Sequence, residues 1–180
     1  MLLRSAFEAE FRRLFDEQFA SLYRYLDRLS GDPELAADLA QEAFVRLYHR
    51  ERLPDDPRGW LAAVASNLFR DERRRSARRK RLLTLHPDEA PSGTAALSPD
   101  EAYGAADDRA RVRAALDSLP ERDRQMLLLR FEGYSYREVA HAAGVRETSV
   151  GVMLARATAA FRAAFERTNP TEARSDDASA

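Results

Sequence analysis

Residues 135–150 read Ser135-Tyr136-Arg137-Glu138-Val139-Ala140-His141-Ala142-Ala143-Gly144-Val145-Arg146-Glu147-Thr148-Ser149-Val150. Ser135 with Glu138 three residues on is a capping box, which opens a helix through Val139, Ala140 and Ala143. Gly144 supplies a position that tolerates positive φ, and the chain turns there. Val145 and Val150 are apolar wedges beyond the turn, Ala140 is small enough for two helices to touch, and Leu154, Ala157 and Phe161 continue a last helix. This is a helix-turn-helix pattern, in which the second helix offers its N-terminal residues to a DNA major groove. An ordinary αα-corner asks for the same residues, and the pattern alone weighs the two evenly.

Working upstream, Val112, Leu116 and Leu119 mark a short helix. Ser118-Leu119-Pro120-Glu121 looks like a capped restart into Met126, Leu127, Leu129 and Phe131, which Gly133 ends. Near the N-terminus, Ser5 with Glu8 predicts a helix start, and Phe7, Phe11, Leu14, Phe15, Phe19, Leu22, Leu26 and Leu29 follow at intervals of three and four. Ser30-Gly31 stops that helix and Asp32-Pro33 begins another, with an N-cap and a proline already at helical φ. Leu35, Leu39, Ala43, Phe44 and Leu47 face inward along it until about Arg50. Pro57 opens a third helix that buries Trp60, Leu61, Val64 and Leu68 and runs into an arginine block. No stretch alternates with period two, so no strand is expected. The fold class is all-α, with an N-terminal helical bundle and a C-terminal helix-turn-helix domain.

Charge is segregated along the 180 residues even though the net formal charge is only −1. Residues 1–69 carry 9 basic and 12 acidic groups, and residues 70–81 (RDERRRSARRKR) carry 8 and 2. Residues 82–108 hold no basic and 6 acidic groups, residues 109–165 hold 10 and 6, and residues 166–180 hold 2 and 4. The acidic stretch contains Pro87, Pro91, Gly93, Pro99 and Gly104, which is linker composition. The expected domains are therefore 1–82 and 108–166, joined by a flexible acidic linker over 83–107 and followed by a disordered tail over 167–180.

Composition excludes several classes of function. With no cysteine there is no disulfide framework, thiol nucleophile or cysteine-bound zinc. The apolar runs fall far short of the roughly 20 residues that span a bilayer, and the N-terminus turns charged at Arg4, unlike a signal peptide. The expected place is the cytoplasm, without membrane insertion. His49, His86 and His141 lie far apart, so no metal is expected. Asp38/Glu42 and Asp55/Asp56 supply carboxylates without a nucleophile or phosphate loop beside them. Neither enzyme activity nor a cofactor is expected.

A charged helix end is usually a solvated face, and the block at 70–81 would be read so if it stood alone. It continues a helix that carries Trp60, Asn67 and Phe69, and eight cations there would contact several phosphates. Two basic helical units joined by an acidic connector favour DNA more than either does singly.

The order of these motifs resembles the extracytoplasmic-function sigma factors, the small two-domain promoter-specificity subunits of bacterial RNA polymerase. In the first domain the resemblance rests on Gly31-Asp32-Pro33-Glu34, on Asp38-Leu39-Ala40-Gln41-Glu42-Ala43-Phe44-Val45-Arg46-Leu47, on Asp56-Pro57-Arg58-Gly59-Trp60-Leu61 and on Ala65-Ser66-Asn67-Leu68. In the second it rests on Leu119-Pro120, on Leu127-Leu128-Leu129-Arg130-Phe131, on Tyr134-Ser135-Tyr136-Arg137-Glu138-Val139-Ala140 and on the helix that follows. It covers residues 7–165.

The resemblance implies that Asp38, Gln41, Glu42 and Arg46 grip the clamp helices of core polymerase. It implies that Asn67, Arg70, Arg73 and Arg74, with Arg52 in the loop 51–56, meet the minus-10 element and help open it, that loop capturing a flipped base. Arg137, Arg146, Glu147, Thr148, Ser149 and Arg156 would read the minus-35 element. Gly151, Val152 and Met153 depart from the basic, small polar, basic run usual in the family, and Ala155 replaces a polar residue. An anti-sigma factor is the expected regulator, and the free protein is expected to be a monomer. A helix-turn-helix regulator acting without polymerase is the alternative, and it leaves the pattern around Asp38 unexplained.

Overall fold

The computed structural model describes residues 2–85 and 103–168. Within them lie seven α-helices and no strand: α1 (Leu2–Ser30), α2 (Pro33–Tyr48), α3 (Pro57–Leu85), α4 (Tyr103–Asp117), α5 (Glu121–Phe131), α6 (Tyr136–Ala143) and α7 (Glu147–Arg167). The middle of the acidic connector (86–102, with His86) and the tail beyond residue 168 lie outside the described residues.

Local chemistry sets most of the boundaries. Asp32 caps α2, its carboxylate accepting from the backbone N–H groups of Glu34 (3.0 Å) and Leu35 (3.1 Å), with Pro33 in the first turn. The Ser135 hydroxyl accepts from the Glu138 N–H, and the Glu138 carboxylate accepts from the Ser135 N–H, completing the capping box of α6. Gly144 ends α6 at φ +65°, as the helix-turn-helix reading requires.

Two expected starts move. α1 begins at Leu2 rather than Ser5, because Leu2, Leu3 and Arg4 are good helix formers and let the helix run a turn further. The cap of α5 is Pro120, which has no side chain to offer, while the Ser118 hydroxyl donates back to the Ala115 carbonyl at 2.7 Å. Ser118 therefore closes α4 instead of opening α5.

The core of α1–α3 joins Leu22, Tyr25, Leu26 and Leu29 to Ala36, Ala40, Phe44 and Leu47, and to Leu61, Ala62, Ala65 and Phe69. Phe44 also receives Phe11 and Phe15 edge-on, at centroid distances of 6.1 and 5.0 Å. At the centre the Tyr25 and Ser66 hydroxyls, both fully buried, share a 2.8 Å hydrogen bond.

The core continues into Met126, Leu129, Tyr134, Val139 and Val150, because α6 packs along α3 and α5 meets α1. Polar contacts seal this seam. Arg58 donates to the carbonyls of Gly133 and Glu132 at 3.1 Å each, supplying partners that the end of α5 lacks. Glu132, its side chain only 4% exposed, sits between Arg24 and Arg28. Arg113 reaches back to the Arg28 carbonyl at 2.7 Å. Phe131, expected inside α5, is instead 72% exposed; as the last residue of its helix it points off the bundle, with Arg28 4.8 Å over its ring.

Candidate nucleic-acid interface

The outer face of α2 follows from its inner one. Leu39, Ala40, Ala43, Phe44 and Leu47 turn inward, so residues three and four apart on the other side turn out together. Asp38, Gln41 and Arg46 are exposed and Glu42 is half-buried. Glu42 holds Arg46 at 2.8 Å. Val45, 47% exposed, and Tyr48, 39% exposed, add apolar surface to this helix. The helix thus displays charged, polar and apolar side chains outward.

The loop after α2 is held in one shape. Glu51 adopts φ +56°, a left-handed conformation that costs a non-glycine residue about 1 kcal/mol or more. Arg50 lies 5.3 Å over the ring of half-buried Trp60, and Arg52 is exposed beside it in sequence. Asp56 closes the loop by accepting from the Gly59 N–H at 2.9 Å. A Cβ on Gly59 would come within 2.3 Å of that carboxylate, so any larger residue there must push the Asp56 side chain aside.

Along α3, Asn67, Arg70, Arg73 and Arg74 recur at helical spacing, with Arg70 half-buried and the others exposed. Arg70 bonds the Asn67 side-chain oxygen and, at 3.3 Å, the Ser66 carbonyl. Arg73 reaches Glu121 of α5 at 3.5 Å, Arg74 reaches Asp71 at 3.7 Å, and Arg75 reaches Glu72 at 3.8 Å. A cleft of about 610 Å³ opens beside them, lined by Arg73, Lys80, Arg113 and Arg124 together with Glu72 and Asp117. Arg124 is 5% exposed and paired with Asp117; burial, opposed by that carboxylate, lowers its pKa.

The third cluster belongs to α6 and α7. Arg137, Arg146, Glu147 and Thr148 are exposed and Ser149 is half-buried. Arg156 is exposed and 3.7 Å from Asp123. Gly151 faces Tyr136, and a Cβ there would meet its ring at 3.5 Å, an ordinary contact. All described site residues expected from sequence thus lie at or near the surface, in three groups on α2 with its loop, on α3, and on α6–α7. Sequence reasoning missed the carboxylates that already hold Arg73 and Arg156. Among the described residues no three His, Asp or Glu side chains converge as a metal cluster.

Two family models match the chain: "Sigma-70 region 2" over residues 14–79 and "Sigma-70, region 4" over residues 109–160. The sequence is 34% identical over 165 residues to the extracytoplasmic-function (ECF) RNA polymerase sigma factor SigL of Mycobacterium tuberculosis, covering 89% of this chain and 91% of that one. It belongs to the ECF sigma factors.

A second ECF sigma factor, SigX of Bacillus subtilis, is 29% identical over 149 residues, covering 79% of this chain and 77% of the other. In fold, this sigma factor is similar to RpoE of Bartonella quintana as crystallised with the anti-sigma factor NepR, with a TM-score of 0.65 at 20% identity over 87% of this chain and 97% of that one. It is also similar to CnrH as crystallised with the cytosolic domain of CnrY, with a TM-score of 0.61 at 21% identity over 92% and 96%. The region 2 match runs from near the middle of α1 through much of α3, and the region 4 match runs from near the middle of α4 through most of α7. Among the described residues no helix is long and apolar enough to cross a membrane.

Proposed function

We propose that this sigma factor docks on core RNA polymerase through Asp38, Gln41, Glu42 and Arg46 of α2. Asn67, Arg70, Arg73 and Arg74 of α3, with Arg52, then engage the minus-10 element, and the start of α7 with Arg137 reads the minus-35 element. Bond-making chemistry stays with the polymerase, and the sigma factor itself is no enzyme. The domains are 1–82 and 108–166, joined by the acidic connector. It works in the cytoplasm, and a protein that grips both helical units, as anti-sigma factors do, holds it inactive.

The observation that carries this reading is the outward display of three chemically distinct faces on an otherwise continuous core. An acidic and polar face on α2 suits a protein partner. Clustered arginines on α3 and a helix N-terminus beyond the Gly144 turn suit nucleic acid.

Transcription in vitro with core polymerase, with start sites mapped across the source genome's promoters, tests the reading. Promoter-specific transcripts that need this chain are the expected result. Absence of such transcripts, together with absence of a holoenzyme, rejects it.

A further inference from the structure

Val152 is 76% exposed, more than any other large hydrophobic side chain among the described residues. It lies in the second turn of α7, four residues after exposed Thr148 and four before exposed Arg156, so the three share one outward face. Its neighbours Val150 and Leu154 are buried, which leaves Val152 no part in the core. Phe131, almost as exposed, has Arg28 over its ring. No such partner covers the valine in the described structure. Arg146 at the head of the helix and Arg156 beyond Val152 place cations on both sides of it along the chain, as phosphate contacts flanking a base contact require.

The major groove displays one apolar group, the thymine C5-methyl, and side chains read it by apolar contact. The valine side chain cannot donate or accept a hydrogen bond, so any base contact it makes is apolar. We propose that Val152 is a specificity-determining residue that reads a thymine methyl in the upstream promoter element. This inference rests on the reading of α7 as the minus-35 helix.

The test uses holoenzyme assembled from the full chain and core polymerase. A promoter library randomised across the upstream element first defines the preferred sequence. Each thymine is then replaced by deoxyuridine, which removes the methyl and leaves every hydrogen-bonding group. At one position, or two adjacent ones, deoxyuridine should weaken binding about fourfold, the value of one buried carbon. In Val152→Ser the same replacement should have no effect, and the preference for thymine there should relax. The substituted position is exposed, and serine and valine have similar helix propensity, so melting should not change.

If a preferred upstream element emerges and Arg146→Ala weakens it, yet deoxyuridine has no effect or acts equally on Val152→Ser, the methyl reading is wrong and the placement of α7 stands. If no upstream preference emerges and Arg146→Ala is silent, the placement of α7 fails and the methyl reading with it.

Discussion

The guanidinium of Arg58, in the first turn of α3, lies 4.0 Å over the ring of Tyr134 in the turn between α5 and α6. The same group donates to two carbonyls and approaches Glu138 at 3.5 Å. It is a single side chain tying the N-terminal helices to the turn that leads into the helix-turn-helix. Arg58→Ala should cost about 2–4 kcal/mol in chemical denaturation, since it removes charge-assisted hydrogen bonds and a cation–π contact together. Arg58→Lys should recover little, because a point ammonium cannot reproduce the planar fork. The chain has no cysteine, so label pairs at Asp16→Cys and Ala163→Cys would report whether the seam opens in Arg58→Ala.

Tyr25→Phe should cost about 1–2 kcal/mol at neutral pH, because Ser66 would keep a buried hydroxyl without its partner. Burial pushes the Tyr25 phenol well above its ordinary pKa, with the Ser66 hydrogen bond opposing. A raised folded-state pKa gives stability that is complete below the unfolded value of 10.0 and lost as pH climbs above it. Tyr134 is shifted the same way, again by burial. Denaturation curves measured from pH 8 to 11 should therefore fall above about pH 10, and fall less steeply in Tyr25→Phe.

Gly151→Ala should stabilise the protein. The glycine is helical, its added Cβ meets only the Tyr136 ring at an ordinary 3.5 Å, and alanine in a helix interior is favoured by about 1 kcal/mol. A rise of a few degrees in Tm checks this.

Charge reversal on α2 separates docking from folding. Asp38→Lys combined with Glu42→Lys should abolish holoenzyme formation in a pull-down with core polymerase while shifting Tm by little, since Asp38 is exposed and Glu42 only half-buried. Arg46 loses its intrahelical partner in this variant, a loss worth only about 0.5 kcal/mol at an exposed i,i+4 pair. Unchanged polymerase binding would remove α2 as the docking face.

Neutralising Arg73 and Arg74 should reduce open-complex formation. The logarithm of binding should also fall less steeply with the logarithm of salt, by roughly 1.5 in slope for two contacts to single-stranded DNA. An unchanged slope would take phosphate contact away from this part of α3.

The helices were legible because their causes are local. Asp32-Pro33, the Ser135–Glu138 box and Gly144 act within a few residues, and apolar spacing tells which side of α2 faces in. The exposed faces of α2 and α7 follow from the same spacing by subtraction. The seam between the helical units was not legible. Arg58 finds its acceptors 74 and 75 residues away, and they are backbone carbonyls, which leave no mark in side-chain identity. Arg124 gives no sign of burial in the sequence, yet it is buried with Asp117 as its ion-pair partner. Phe131 misled in the other direction: it stands four residues after Leu127, a spacing that reads as core, although Gly133 marks the helix end just beyond it.

Arg73, Arg74 and Arg75 each lie within 4 Å of an acid of the same chain, Glu121, Asp71 and Glu72. Two of these counter-ions sit on α3 itself and the third on α5. A phosphate that lands on α3 must displace a tethered carboxylate as well as a diffusing cation, and the displaced acid stays nearby to compete. Stray duplex would gain little from that exchange. On the proposed reading, DNA held in register by the polymerase, at high effective concentration, would complete the exchange. The basic helix would in this way respond to context: weak toward DNA in general and available once a strand is positioned beside it.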